Sequence, residues 1–375
     1  MAFEISSEAS APQPDDVNMT EDAAEPQQEK KRYRVGIISV MIAFAAVFGM
    51  TFAVRLLDRA GVFAHLSKGA SYAVFAAVTV CVYLVPGIVY TILRRKNGGT
   101  VRVFERSSPH TSVYAVLTCL LALATGLLCR FYLIRQGLTI VGDSYIAQMR
   151  AGDSPYLLLI FGVLPAFAIE YFFRGVMQSE LTKIGGGVTG ILVTSLASAL
   201  CVSDDNLFVE TLLVGLLLGL LAHVCGSFIP SAVVRVIIHS LAVMFGDRLR
   251  FVAAERAGNA LTMILIVMLW LILFVACMRA GAGVCADKAR RVELITAEKS
   301  EVSENAQPCT RESEKADTSV SLEASQTEPE KAPNLAGVIR HLAAPKGYTL
   351  HKFMRVLFSP AMIVCAALFA LLAFR

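Results

Sequence analysis

Nine apolar stretches of helix-spanning character run through this chain, and they limit its fold more than any other feature: 35–56, 71–93, 111–134, 155–177, 187–202, 207–223, 229–245, 261–278 and 354–374. About 20 mostly apolar residues carry a helix across the hydrocarbon core of a bilayer. The fifth, sixth and seventh stretches are shorter or carry polar residues. They belong to a bundle interior, because ionisable groups at membrane depth face protein or water. Of the 375 residues, 55% are hydrophobic and 17% charged, against roughly 45–50% and 25% in soluble domains. The charge is also gathered into segments: 1–29 holds eight acidic residues and no basic one, and 286–337 is a second polar block. Too little polar sequence remains to clothe a water-soluble globule. The expected fold is all-α, a polytopic transmembrane helical bundle of about 8–9 spans.

Lysine and arginine in the short flanks set the expected orientation. Lys30, Lys31, Arg32 and Arg34 precede the first stretch, Arg94, Arg95, Lys96, Arg102 and Arg106 follow the second, and Arg279, Lys288, Arg290 and Arg291 follow the eighth. Alternating spans put all three clusters on one side. That makes the amino terminus cytoplasmic in a multi-pass protein of a cell membrane, plasma or inner. The net charge of +4 is too small and too scattered for a nucleic-acid partner. The leading segment is acidic and carries Pro12, Pro14 and Pro26, unlike a signal peptide. The chain is thus expected to divide into a disordered acidic tail (1–29), three transmembrane helices (30–154), a motif-bearing core (155–245), an eighth span (246–285), a disordered cytoplasmic linker (286–352) and a last span (353–375) acting as an appendage. The nine cysteines lack metal or redox spacing and read as buried apolar thiols.

Polar residues are informative between Ala168 and Phe245. The fourth stretch ends in Ala-Ile-Glu-Tyr-Phe-Phe-Arg-Gly, so Glu170 and Arg174 lie four apart on one helix face. An unpaired charge there costs several kcal/mol, so the two are expected to pair. The sixth stretch carries Val214 to Gly219 with its small residues four apart, a face for close helix packing. In the seventh, Arg235 and His239 are again four apart.

Glu-Tyr-Phe-Phe-Arg-Gly, then Gly-Leu-Leu-Leu-Gly-Leu-Leu-Ala-His-Val-Cys-Gly-Ser-Phe-Ile-Pro-Ser, then a His ending the next apolar run, resemble the CPBP family of CAAX prenyl endopeptidases and bacteriocin-processing intramembrane proteases. The resemblance covers about a quarter of the chain. It implies a water, with or without zinc, activated by a Glu and two His inside a bundle that opens toward the cytoplasm. The family pattern is E-E-x-x-x-R, F-x-x-x-H and H-x-x-x-N. Mapped on it, Arg174 keeps the Arg, Glu170 the second Glu and His239 the third-block His, while Ile169 stands for the first Glu, Ser198 for the Phe, Val202 for the second-block His and Val243 for the Asn. Aliphatic side chains neither take protons nor bind metals. His239 is left as a single, incomplete metal position, short of the three protein ligands of a catalytic zinc.

The favoured reading is therefore an integral membrane protein of this type without protease activity, a scaffold or binding protein in which Glu170, Arg174 and His239 are structural, no cofactor is held, and Arg235 or His239 is a further partner of Glu170. Two alternatives stand beside it. One is an active endopeptidase with a rearranged, zinc-dependent site acting on membrane or lipid-modified proteins. The other is a small-molecule transporter, although Pro86, Pro165 and Pro230 do not fall at corresponding places of two repeats. Substitute ligands are badly placed: His223 and Glu210 are about 20 Å apart along one helix, and Asp204 and Asp205 are expected on the outer side. His223 reads as a helix-end residue, Tyr156, Tyr171 and Trp270 as packing or interface residues, and Gly185, Gly186 and Gly187 as a turn between the fourth and fifth spans.

Overall fold

The computed structural model describes residues 19–96, 109–137, 156–202, 205–256, 258–305, 356–357 and 359–373. These residues form helices and their connections, with no strand among them. Helix α1 covers Met19–Arg59. Helices α2 (Lys68–Thr79) and α3 (Val85–Lys96) are joined through a π turn at Val80–Leu84. Helix α4 is Pro109–Arg135. A π turn at Leu158–Val163, helix α5 (Leu164–Glu170), a second π turn at Tyr171–Gln178 and helix α6 (Ser179–Leu200) follow without interruption. Helices α7 (Phe208–Cys225), α8 (Ile229–Arg256), α9 (Ala260–Asn305) and α10 (Pro360–Ala373) complete the set.

Among the described residues, six helical runs are long and apolar enough to cross a membrane, and Ile229–Phe245 is a shorter apolar helix. One run, Leu158–Leu200, has 43 residues, about 65 Å at 1.5 Å per residue and twice a bilayer core. It is two spans. At Gly186 the backbone has φ 83° and ψ 170°, a region open essentially to glycine alone. On either side of it the chain folds back: Arg174 reaches Thr194, and a Cβ on Gly190 would meet Thr182 and the Gln178 carbonyl. The expected turn at 185–187 is thus reduced to one residue.

Pairings between helices fix their directions. Where partner numbers sum to a near-constant, two helices are antiparallel; where they differ by a near-constant, parallel. Residues 156–178 run antiparallel to α8 (Glu170 with Arg235, Gly162 with Ser240) and parallel to α7 (Arg174 with Gly215, Gln178 with Gly219). They run parallel to α3 (Gly87 with Tyr171, Arg94 with Glu180). Helix α4 is antiparallel to α9 (Thr118 with Cys277, Thr125 with Trp270). These are the directions of strictly alternating spans. They bring the Arg94, Arg95 and Lys96 end of α3 to the same side as the Arg279–Arg291 portion of α9.

Apolar side chains pack in two main clusters. Phe44, Val47, Phe48, Phe172, Phe173, Met177 and Leu181 join α1, the second π turn and α6. Tyr114, Leu121, Leu218, Leu221, Val234 and Cys277 join α4, α7, α8 and α9. Buried hydroxyls of Thr91, Thr118, Thr125, Thr189 and Ser195 donate to the carbonyl four residues back, which satisfies the donor locally, and those of Thr91, Thr118 and Thr125 also meet Tyr171, Cys277 and Trp270 on neighbouring segments. Most thiols are buried as expected, and Cys81 is exposed. Helix α9 turns Leu261, Leu265, Met268, Ile272 and Val275 outward, the face of a helix against lipid.

Three expectations shift. Helix α1 begins at Met19, inside the acidic tail, and α9 continues to Asn305, inside the polar linker. Glu, Lys, Gln and Ala are good helix formers, and a span already nucleated extends at little cost. The last span is no appendage: Val356, Met362 and Cys365 are buried in the first cluster beside α1. Residues 1–18 of the tail, 306–352 of the linker, Arg102, Arg106 and Asp204 lie outside the described residues.

Candidate functional site

Glu170 closes α5, and Arg174 lies in the π turn that follows it. Such turns recur at functional sites. The Glu170 side chain has no exposed surface. Its Oε1 accepts a hydrogen bond from Arg235 Nη1 at 2.7 Å, and its Oε2 lies 3.6 Å from Arg174 Nε. The expected pair is therefore a triad, and the further partner is Arg235 rather than His239. One carboxylate faces two guanidinium groups.

Arg174 is anchored on its other sides as well. Its Nη1 donates to Thr194 Oγ1 at 2.6 Å and its Nη2 to the Gly215 carbonyl at 2.8 Å. One turn on, Gln178 Nε2 donates to the Gly219 carbonyl at 2.7 Å. Arg174 and Gln178 are four apart, as are Gly215 and Gly219, so two donors on one helix meet two carbonyls on its parallel neighbour. Glycine permits this because a Cβ at Gly215 would stand 3.2 Å from Arg174 Nη2 and 3.3 Å from Ser195 Cβ. A carbonyl already used by its helix still has a second lone pair to offer.

His239 is half-buried on α8, one turn beyond Arg235, and takes no part in the triad. Ile169 is half-buried and packs on the first cluster, and Val243 is buried among Tyr72, Leu157 and Phe161. Val202 follows the end of α6. Ile169 and Val243 thus extend two different apolar clusters. His223 lies in the last turn of α7, above Gly187, and Gly226 caps that helix at φ 70° with its N–H on the His223 carbonyl, as a glycine cap does. Glu210 pairs with Arg130 at 3.5 Å, away from Glu170. Trp270 donates to Thr125 at 2.9 Å, and Tyr171 packs on Gly87 and Phe228.

The zinc implied by the resemblance does not fit these residues. Its carboxylate is bound by two cations, and the helix that offers His239 presents Arg235 first, so a dication would enter beside two guanidinium groups. Among the described residues no three His, Cys, Asp or Glu side chains gather as a ligand set.

Fold and site together define a multi-pass membrane helical bundle with a buried ion triad in its core. Residues 151–241 match the family model described as "Type II CAAX prenyl endopeptidase Rce1-like", about a quarter of the chain. The match takes in Ile169, Glu170, Arg174, Val202, Arg235 and His239 and stops two residues before Val243. No curated protein and no solved structure matches the chain.

Thr194 and Gln178 were absent from the sequence-derived site, and Arg235 stood in it only as one of two candidate partners of Glu170. The signal for Gln178 was available: its spacing to Arg174 equals that of Gly215 to Gly219. Arg235 was visible as a cation in an apolar run, and only the antiparallel packing of α8 assigns it to Glu170.

Proposed function

We propose that this protein is a non-cleaving relative of CAAX-type membrane endopeptidases, a scaffold or binding protein whose former reaction centre is a structural ion triad. One observation carries this: Glu170, the surviving motif carboxylate, is fully buried with its two oxygens turned on Arg174 and Arg235. A general base must reach the proton it removes, at about 2.6–3.2 Å or through one water. Glu170 spends that reach on guanidinium groups. Its partners are the bilayer and membrane or lipid-modified proteins, and the basic flanks support a cytoplasmic amino terminus in a cell membrane.

The test is a cleavage assay with the full chain in lipid nanodiscs. A prenylated CAAX peptide and a transmembrane reporter are incubated with and without added zinc and followed by mass spectrometry. Both substrates are expected to stay intact. Product that disappears in His239→Ala and after metal chelation would instead support the second reading, an active endopeptidase with a rearranged site, which draws on the family match itself.

A further inference from the structure

The triad at Glu170 carries two cations and one anion, all three buried at membrane depth. An excess charge in that setting calls for a counter-ion. Its two arginines differ in what they leave over. Arg174 spends both terminal nitrogens on Thr194 and Gly215, and its Nε, buried without a hydrogen bond, still faces Glu170 Oε2 at 3.6 Å. Arg235 spends Nη1 on Glu170, while its Nε is buried with no hydrogen-bond partner among the described residues. That nitrogen belongs to the Nε–Nη2 edge, the side with which arginine grips oxyanions in bidentate fashion.

Arg235 stands near one end of the bundle. Arg235 lies six residues into α8, about 9 Å from its start. The same end carries Arg94, Arg95, Lys96 and Lys183, since Arg94 and Lys183 both meet Glu180. Arg95 and Lys96 are exposed there and would draw anions toward it.

We propose that Arg235 holds a phosphate group inside the bundle, taken from an anionic phospholipid head or from free phosphate. This rests on the reading that Glu170 is a structural anion rather than a catalytic base. The phosphate neutralises the excess cation and occupies the guanidinium edge that Glu170 leaves open. The site is then a ligand site built on a lost reaction centre.

The experiment uses the full chain. In detergent, inorganic phosphate is titrated against chloride at matched ionic strength and read as a thermal shift. In nanodiscs of phosphatidylcholine with added phosphatidic acid, co-isolated lipid is read by native mass spectrometry. Phosphate or phosphatidic acid is expected to bind the wild type and raise its melting temperature. Arg235→Gln should weaken binding about tenfold or more, the loss of one charge-assisted hydrogen bond. Arg235→Lys keeps the charge without the fork and should weaken it less, which preserves the test if the glutamine variant fails to fold. Binding of phosphatidic acid alone identifies the lipid as source, and binding of free phosphate identifies a soluble one. Binding of neither probe, or equal binding by wild type and both variants, overturns the proposal. Reporter cleavage with phosphate binding intact would overturn the non-cleaving reading, whereas an intact reporter without phosphate binding would overturn this inference alone.

Discussion

Glu170→Gln removes the negative charge of the triad and leaves the shape nearly unchanged. The two contacts, 2.7 Å to Arg235 and 3.6 Å to Arg174, each represent a gross attraction of about 4–6 kcal/mol at an effective dielectric near 20. Desolvation of the charges takes back much of that, and breaking a buried pair by removing one partner costs about 3–5 kcal/mol net. The variant suffers further, because Arg174 and Arg235 then repel each other with no anion between them. At roughly 2–4 °C per kcal/mol, the melting temperature of the detergent-solubilised protein should fall by about 6–20 °C, read by nanoscale fluorimetry on Trp270. Arg235→Gln leaves a neutral Glu170–Arg174 pair and should be milder. Melting of Glu170→Gln within a degree of the wild type would refute the structural role, as would Arg235→Gln being the more damaging change.

Gly215→Ala should lower stability by about 1–3 kcal/mol in the same melt, since its Cβ meets Arg174 and Ser195, whereas Gly283→Ala, with nothing within 4 Å, should not. Gly186→Ala should cost about 1–3 kcal/mol and reduce the yield of folded protein on size-exclusion chromatography, because φ 83° with ψ 170° is closed to alanine. His239→Ala, at a half-buried position outside the triad, should lower the melting temperature by less than Glu170→Gln in the same melt, and an equal or larger drop would place His239 in the ion cluster. Trp270 is the single tryptophan and lies on the helix with the broad outward apolar face. Its indole turns onto Thr125 of α4, so a second tryptophan at the outward Ile272 is the probe: brominated lipids should quench Ile272→Trp more strongly than Trp270 alone in nanodiscs, and no added quenching would remove that face of α9 from the lipid boundary.

Much of the bundle was legible in the sequence because lipid leaves few choices. Apolar runs of span length must be helices, and their order gave the up-and-down arrangement that the residue pairings now display. Glu170 and Arg174 were legible for a related reason: charge at membrane depth is rare, so two charged residues four apart announce a pair. What stayed hidden depends on three-dimensional packing. Arg235 is 65 residues from Glu170 and could be named only as one of two candidate partners beside His239, because no local rule says which residue of an antiparallel helix reaches across. The polar ends of α1 and α9 misled because composition reports what a segment does alone, while a helix already nucleated in the membrane carries its polar extension with it. The place of α10 in the first cluster was likewise invisible, since the polar linker before it says nothing of where it docks.

Single-turnover digestion tests the non-cleaving reading most directly. Full-length protein in nanodiscs, in excess over a prenylated CAAX peptide and supplied with zinc, is incubated to completion and the peptide weighed by mass spectrometry. A carboxylate locked between Arg174 and Arg235 predicts an intact peptide with wild type and with Glu170→Gln alike. Stoichiometric product from the wild type, absent in Glu170→Gln, would show that Glu170 serves a reaction and contradict the structural role given to it here.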